Sequence, residues 1–225
     1  ADLERRDLTI NAMALDEDGR LIDPHNGARD LRAGILRHVS PAFVEDPVRI
    51  LRLARFAARF PDFRIAPETA ELVREMVANG EADALVPERV MQEISRGLME
   101  RRPSRMLNVL VASGLIDRLY SELEDLGPAS AALDRAAAKG LVLPARFAVL
   151  ASACRSPRTV ADLIGKLRVP QESAQLARLL VELRESLETA ESSAAVVDAL
   201  ERADAFRRPE RFELLLQTFE TAYEK

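Results

Sequence analysis

The sequence contains few of the residues that build disulfide frameworks, aromatic clusters or glycine-rich loops. Its 225 residues include a single cysteine, Cys154, nine glycines and no tryptophan, and aromatic residues make up only 4%. One cysteine excludes an internal disulfide framework and is typical of a reducing cytoplasm. No stretch is apolar and uncharged for long enough to cross a bilayer. The hydrophobic content of 48% and the charged content of 31% instead indicate a soluble globular protein.

The charge balance argues against an indiscriminate nucleic-acid binder. With 32 basic and 37 acidic residues the formal net charge is −5, whereas non-specific binding to nucleic acid depends on positive charge. A local basic surface is still compatible with this balance. Four arginines are candidates for phosphate contacts: Arg96, Arg101, Arg102 and Arg105. The alternative, to which we give at least equal weight, is that they form a solvated helix face.

The most informative stretch is a predicted helix over residues 45–60. Glu45 and Asp46 lie at the positive end of its dipole, and Pro47 fits the first turn. Apolar residues cover most of its circumference, so the helix is predicted to be largely buried. Four arginines lie between these apolar residues: Arg49, Arg52, Arg55 and Arg59. We expect each of them to have a partner, because buried guanidinium groups need one.

The rest of the chain is predicted to be mainly helical. The start favours a small sheet, with a strand or short helix over residues 8–15, a turn over 16–19 and a strand over 21–22. The Gly127-Pro128 pair is the best candidate for a domain boundary. Further helices are predicted at 68–78, 87–100, 104–112, 115–126, 131–138, 144–154, 160–167, 172–190, 193–203 and 209–223.

Two groups of polar residues suit a nucleotide. Asp46 and Arg49 are three apart, so they share a helix face and can present an acceptor and a fork of donors to a flat polar ring. The alternative is a local salt bridge at a helix N-terminus. Arg5, Arg6 and Asp7 combine phosphate-binding guanidinium groups with an acceptor for ribose hydroxyls. The alternative there is a solvated surface triad.

Three segments, in order, resemble the class II tRNA nucleotidyltransferases, which include the CCA-adding enzymes and the bacterial poly(A) polymerases. They read RRDLTINAMA at 5–14, DPHNGARDL at 23–31 and EDPVRILRLARFAARF at 45–60. The likeness covers roughly residues 3–125 and continues with PETAEL at 67–72 and PERVMQEI at 87–94. The intervening RHVSPAFVEDP resembles the CCA-adding branch more than the polymerase branch.

The resemblance implies an α+β fold for the intact protein, of which this chain is the mainly helical part. Residues 1–34 are expected to be the C-terminal part of the nucleotidyltransferase head, carrying the remnant of its sheet. Residues 35–126 are expected to form a helical neck with the nucleotide-selecting helix. Residues 127–225 are expected to form a helical body and tail that binds tRNA.

The implied function is the addition of C, C and A to the 3′ end of tRNA, from CTP and ATP with Mg²⁺ and without a nucleic-acid template. Within the family, addition of CC only, addition of A only and poly(A) synthesis remain alternatives. From a different class, the chain is a non-catalytic helical RNA-binding fragment. The sequence does not indicate the oligomeric state.

The resemblance also assigns roles to single residues. Arg5, Arg6 and Asp7 match the motif that contacts the ribose and phosphates of the incoming nucleotide, with Asn11 in the same block. Glu45, Asp46 and Arg49 match the base-selecting motif. Arg52 lies one turn later and is expected to face phosphates. A hinge-like link between head and neck matches Asp23, Gly27 and Asp30.

The base-selecting assignment agrees with elementary chemistry. A carboxylate accepts a hydrogen bond from the exocyclic amine of cytosine or adenine, while an arginine donates to the adjacent ring acceptor. Uracil presents a carbonyl where the amine should be, so that two acceptors face each other. A site built from hydrogen-bonding groups rejects such a mismatch strongly, because buried polar groups are left unpaired.

Two departures from the family pattern limit the prediction. The paired carboxylates after a Gly-Ser turn, which hold the divalent metals, do not occur, so no catalytic or metal-binding residue is assigned to this chain. Since the sequence opens with Ala1, we expect a missing upstream segment to hold that site. Ser152 and Ala153 stand where some relatives carry the His-Asp pair of a phosphohydrolase domain, so no second enzyme is predicted.

We expect this 225-residue polypeptide on its own to be unable to incorporate CTP, because it lacks the carboxylate pair. The measurement is incorporation of labelled CTP into tRNA without its CCA end, in the presence of Mg²⁺. Incorporation above a protein-free blank would show that the metal site has been overlooked in this sequence.

Overall fold

The structure is a computed structural model that describes residues 2–189 and 192–224. These residues form two compact units, the first ending at Leu119 and the second beginning at Tyr120. Both units are mainly helical, and the only strands among the described residues form two small two-stranded sheets in the first unit. The prediction of a mainly helical chain with a small N-terminal sheet is therefore confirmed. No helix in the described part of the chain is long and apolar enough to cross a membrane.

The first unit contains short strands, short 3₁₀ turns and six α-helices. The strands are β1 (Ala14–Leu15), β2 (Leu21–Ile22), β3 (Ile35–Leu36) and β4 (Arg64–Ile65). The 3₁₀ turns are Leu3–Arg5, Thr9–Asn11, Pro41–Glu45 and Glu81–Ala84. The helices are α1 (Gly27–Ala33), α2 (Val48–Arg59), α3 (Pro67–Ala78), α4 (Pro87–Leu98), α5 (Pro103–Ala112) and α6 (Leu115–Leu119).

The predicted strand–turn–strand is confirmed. β1 and β2 pair antiparallel, with Ala14 opposite Ile22. The turn is held by Asp16, whose side chain accepts hydrogen bonds from the backbone N–H groups of Asp18 and Arg20 at 3.0 and 2.8 Å. For residues 8–15 the prediction is a strand or a short helix, and the structure has one after the other: the 3₁₀ turn Thr9–Asn11 and then β1.

Helix α2 is the centre of the first unit and packs against α4 and α5. It begins at Val48 rather than at residue 45, since the residue before a proline is disfavoured in the helical region. Asp46 has extended backbone angles, and its side chain accepts from the N–H of Val48, the first residue of the helix, at 3.1 Å. The largest fully buried side chains of α2 are Ile50, Leu51 and Leu53.

The expectation that the arginines of α2 find partners holds for Arg49, Arg52 and Arg55 but not for the exposed Arg59. Arg55 is 8% exposed and donates to Glu93 of α4 at 2.6 Å. Arg52 donates to Asp7 at 2.7 Å, which joins α2 to the N-terminal segment. Arg59 lies at the exposed end of the helix, over the ring of Phe60.

The second unit consists of helices packed around the almost completely buried α8. Helices α7, α10 and α13 lie against α8 and cover it. The helices are α7 (Leu126–Ala138), α8 (Leu143–Ala151), α9 (Pro157–Leu167), α10 (Gln171–Glu182), α11 (Arg184–Glu188), α12 (Ser193–Arg202) and α13 (Pro209–Tyr223).

Several predicted helices have different bounds in the structure. The helix predicted over 131–138 begins at Leu126, the one over 144–154 ends at Ala151 and the one over 160–167 begins at Pro157. The helix predicted over 115–126 ends at Leu119, and Gly127-Pro128 lies in the first turn of α7, where a proline fits because its missing N–H has no partner there. The helix predicted over 172–190 is broken at Leu183, between α10 and α11. Its predicted last residue, Ala190, lies outside the described residues. The division into head, neck and body at 34 and 126 stays a prediction.

Helix α1 approaches the Thr9–Asn11 turn so closely that only glycine fits at its first position. A Cβ on Gly27 would collide with the carbonyl oxygen of Thr9 and with the side chain of Met13. By contrast, a Cβ on Gly165 in α9 would meet nothing within 4 Å.

We expect Gly27→Ala to lower the free energy of unfolding of the first unit by about 1–3 kcal/mol, the usual cost of overpacking. Gly165→Ala is the matched control, since it adds the same methyl group to open space in a helix and removes only the flexibility of glycine. Urea unfolding followed by circular dichroism measures both variants. Equal unfolding midpoints would show that α1 moves away without cost.

Candidate nucleotide-binding site

A cavity of about 510 Å³ in the first unit brings together residues from three separate segments of the sequence. One wall comes from the first two 3₁₀ turns and the residues between them, the second from α2 and the residue Asp46 before it, and the third from the first turn of α4. It is lined by Arg5, Arg6, Asp7, Asn11, Asp46, Arg49, Arg52, Phe56 and Arg89. We call this the arginine cavity.

Seven of the eight residues that the sequence assigned to nucleotide binding therefore line one cavity. The exception is Glu45, which is not among the lining residues. Its carboxylate lies 3.6 Å from the guanidinium group of Arg5, and both side chains are more than half exposed. Whether each of these residues performs its assigned role stays a prediction.

Asp7 holds the arginine cavity together. Its carboxylate is 5% exposed and accepts from the Leu8 N–H at 2.8 Å, from Asn11 Nδ2 at 3.1 Å and from Arg52 Nε at 2.7 Å. Since both of its oxygens are occupied, Asp7 fixes the positions of Asn11 and Arg52. The side chains of Arg5 and Arg6 are more exposed, at 73% and 52%, and can turn toward a ligand.

Asp46 and Arg49 do not form the local salt bridge that was the alternative interpretation. Arg49 donates to two backbone carbonyls, those of Arg5 at 2.6 Å and of Ala42. The carboxylate of Asp46 is instead held by Arg89 of α4, through Nη1 to Oδ1 at 3.2 Å and Nη2 to Oδ2 at 2.7 Å. The two side chains thus stand side by side on one face with different partners.

The surroundings of Asp46 keep it ionised. Burial by itself disfavours the charged carboxylate, but this is outweighed by hydrogen bonds from Arg89 and the Val48 N–H and by the charges of Arg89 and Arg49. The pKa of Asp46 is therefore lower than its ordinary value. At neutral pH the group is a pure acceptor, which is the state that can bind an exocyclic amine.

Sequence reasoning missed two lining residues, Arg89 and Phe56. Arg89 belongs to PERVMQEI, a segment singled out only for its family likeness, although an arginine at the start of a helix is an available partner for a carboxylate. Phe56 is 8% exposed and was predicted only as an apolar residue of α2. Its ring stacks on that of Phe60 with centroids 6.2 Å apart.

The three residues assigned to a hinge lie outside the arginine cavity and fasten α1. Asp23 accepts from the backbone N–H groups of Gly27 and Ala28 at 2.6 and 2.9 Å, at the N-terminus of the helix. Asp30 is 6% exposed and accepts from Thr9 Oγ1 at 2.8 Å and from Arg37 Nε at 3.0 Å. These contacts attach α1 firmly to the segment before it; a hinge role stays a prediction.

Two parts of the chain match models of known protein families. Residues 1–37 match the family described as the poly A polymerase head domain. Residues 62–126 match the family described as the probable RNA and SrmB-binding site of polymerase A.

Curated relatives resemble nearly the whole chain. A protein of Bordetella bronchiseptica named CCA-adding enzyme is 55% identical over 216 residues, which cover 96% of this chain and 58% of that protein. A protein of Cupriavidus taiwanensis named multifunctional CCA protein is 50% identical, with 97% of this chain and 63% of that protein covered. The chain thus spans about three fifths of the length of these relatives.

A solved structure described as the complex of a CCA-adding enzyme with CTP has the same fold. The TM-score is 0.71 at 26% sequence identity, with 99% of this chain and 55% of that chain covered. Another, described as a CCA-adding enzyme with ATP, gives a TM-score of 0.64 at 25% identity and covers 96% of this chain and 58% of that chain.

We expect Arg89→Met to raise the pKa of Asp46, since the change removes the two hydrogen bonds and the charge that oppose the effect of burial. The pKa is read from the pH dependence of the Asp46 side-chain carboxyl resonance by NMR. Arg96→Met is the control, because Arg96 is an exposed residue of the same helix that pairs with Glu93 instead. An unchanged titration of Asp46 in Arg89→Met would mean that the pair does not persist in solution.

Proposed function

We propose, because this chain belongs to the class II tRNA nucleotidyltransferase family, that the protein containing it adds C, C and A to the 3′ end of tRNA. The substrates are CTP and ATP, and no nucleic-acid template is used. The observation that carries the proposal is the arginine cavity, in which seven of the eight predicted nucleotide-binding residues meet. Relatives named CCA-adding enzyme, 55% identical across 96% of the chain, support the choice of reaction. A cytoplasmic location, indicated by the single cysteine, belongs to the same proposal.

The arginines provide the electrostatic basis for binding a triphosphate. Arg5 and Arg6 extend from the N-terminal segment with exposed guanidinium groups, which can fork onto phosphate oxygens. Arg52 enters the cavity in a fixed orientation, because its Nε is bound to Asp7. Asn11, held by the same carboxylate, is placed to hydrogen-bond a ribose hydroxyl. Arg52 and Asn11 are thus ordered before the nucleotide arrives, whereas Arg5 and Arg6 turn toward it.

Base selection rests on Asp46 and Arg49. Arg49 is oriented by the carbonyls of Ala42 and Arg5, so its remaining N–H donors point in a fixed direction. The carboxylate of Asp46 accepts from the exocyclic amine that cytosine and adenine share. Since Asp46 is paired with Arg89 when no base is present, the incoming amine exchanges with or joins that partner. Uracil brings an acceptor to the ionised carboxylate and is rejected.

The family's use of Mg²⁺ enters this proposal with a limit. Within the described residues there is no group of three or more His, Cys, Asp or Glu side chains that could hold a metal ion. The residues of this chain that the structure describes do not fit a magnesium site, and the proposal assigns no step to a metal held by them. Their share of the reaction is to bind, orient and select the nucleotide.

The test uses the gene product in which this sequence occurs, with tRNA lacking its terminal CCA, Mg²⁺ and each nucleotide singly and together. The 3′ ends of the products are then sequenced. We expect extension by CCA that stops after A. Runs of A would identify a poly(A) polymerase, addition of only CC or only A would identify a partial relative, and no extension would identify a non-catalytic RNA binder.

In the same assay, Asp46→Ala is expected to slow the addition of C and A and to weaken the rejection of UTP by about tenfold or more, because the amine loses its acceptor. The matched control is Asp83→Ala, since Asp83 is also held by two bonds from one arginine, Arg118, but lies outside the cavity. Unchanged rejection of UTP by Asp46→Ala would assign base selection to other residues.

A further inference from the structure

The first unit contains another cavity, of about 310 Å³, between α2, β4, α3 and α5. It has no lining residue in common with the arginine cavity. Its volume lies at the lower end of the range of about 300–1,000 Å³ that is usual for small-molecule sites. At about 30 Å³ for each water-sized group, there is room for about ten non-hydrogen atoms, too few for a nucleotide. We call it the Arg105 cavity.

The lining of the Arg105 cavity is mainly apolar. Leu53 and Val73 are 1% and 2% exposed and belong to the core of the unit. The other apolar lining residues are Ile65, Ala70, Val109 and Ala112. Covering such a lining with the apolar body of a ligand removes apolar surface from water, which is favourable. A bare inorganic anion would leave this surface uncovered.

The charged side chains of the Arg105 cavity are all arginines. Arg64 is exposed and has no side-chain partner within residues 2–189 and 192–224. Arg74 pairs with Glu71 of its own helix, but Glu71 does not line the cavity. None of the lining residues is acidic, although the chain as a whole has a net charge of −5. The cavity therefore favours an anionic ligand over a neutral one.

Arg105 determines where the negative charge of a ligand is bound. Its Nη2 donates to the carbonyl of Phe63 at 2.7 Å, which holds the guanidinium group in place. Its Nε is buried and has no hydrogen-bond partner among the described residues. A buried donor without a partner is unfavourable, above all on a charged group. A carboxylate oxygen in the cavity removes this cost by accepting a charge-assisted hydrogen bond.

We propose that the Arg105 cavity binds a small organic carboxylate with an apolar body of about six to eight carbon atoms. The apolar body lies against Leu53, Val73 and Val109, and the carboxylate accepts from Arg105 Nε. Arg64 adds a second positive charge at the exposed edge. A carboxylate fits better than a phosphate ester, because its smaller head leaves more of the cavity for the apolar body. The inference goes beyond the proposed function and does not depend on it.

The experiment titrates the whole 225-residue chain with sodium octanoate at neutral pH and follows the methyl resonances of Val73 and Val109 by NMR. We expect shifts that saturate with a Kd on the order of 1 mM, as for a ligand of this size. Octan-1-ol has the same apolar body without the charge, and acetate has the charge without the body. Both are expected to bind at least about tenfold more weakly than octanoate.

Two variants locate the site. Arg105→Met keeps an unbranched side chain without the charge and is expected to weaken octanoate binding about tenfold. Because Arg105 also holds the carbonyl of Phe63, Arg64→Ala is measured as well. Arg64 is exposed, so the fold is retained, and binding is expected to weaken about threefold. Arg101→Ala is the matched control with wild-type affinity, since it removes an exposed arginine of the same unit outside the cavity.

The absence of saturable shifts, or equal affinities for octanoate and octan-1-ol, would overturn the inference. Wild-type affinity for octanoate in both Arg105→Met and Arg64→Ala, with unchanged circular dichroism, would do the same, since the anion would then be bound elsewhere. A single-stranded oligoribonucleotide is tested in parallel. Weaker RNA binding by Arg64→Ala than by Arg101→Ala, without any binding of octanoate, would assign these arginines to RNA and overturn the inference as well.

Discussion

The first unit depends on satisfying the guanidinium groups of one largely buried helix. An unpaired buried charge costs several kcal/mol, far more than an exposed ion pair contributes. Helix α2 meets this demand with Glu93 for Arg55, Asp7 for Arg52 and backbone carbonyls for Arg49. Each partner comes from a different segment. The bonds that pair the guanidinium groups of α2 therefore also attach the N-terminal segment and α4 to this helix. The arginine cavity lies where these segments meet.

This arrangement gives the candidate site its order before any ligand is bound. Asp7 is fully occupied by protein donors and therefore acts as a support for Arg52 and Asn11. Asp46 is ionised and exposed enough to exchange partners, because its bonds to Arg89 are exposed and its side chain is 32% exposed. A site with fixed donors and one exchangeable acceptor suits the binding of two bases that share an amine and the rejection of one that lacks it.

The second unit has a separate organisation. Its core is formed around α8, and its charged residues gather at the start of α13, beside the exposed ring of Phe206. The same residue types thus occur in two settings. In the first unit most arginines are bound by carboxylates or carbonyls, whereas Arg207, just before α13, has no side-chain partner among the described residues and Arg208 is only loosely paired with Asp204.

The sequence by itself determined the mainly helical fold, the strand–turn–strand and the residues of the arginine cavity other than Arg89 and Phe56. It did so because apolar periodicity, proline positions and motif order are local properties of the chain. Only the tertiary structure decided that Asp46 pairs with Arg89 rather than Arg49 and that the carboxylate of Asp7 accepts a hydrogen bond from Arg52. It also decided the break at Leu183, where the apolar spacing continues without interruption. The two pairings depend on which side chains meet across 43 or 45 residues of sequence, and local patterns do not contain that information.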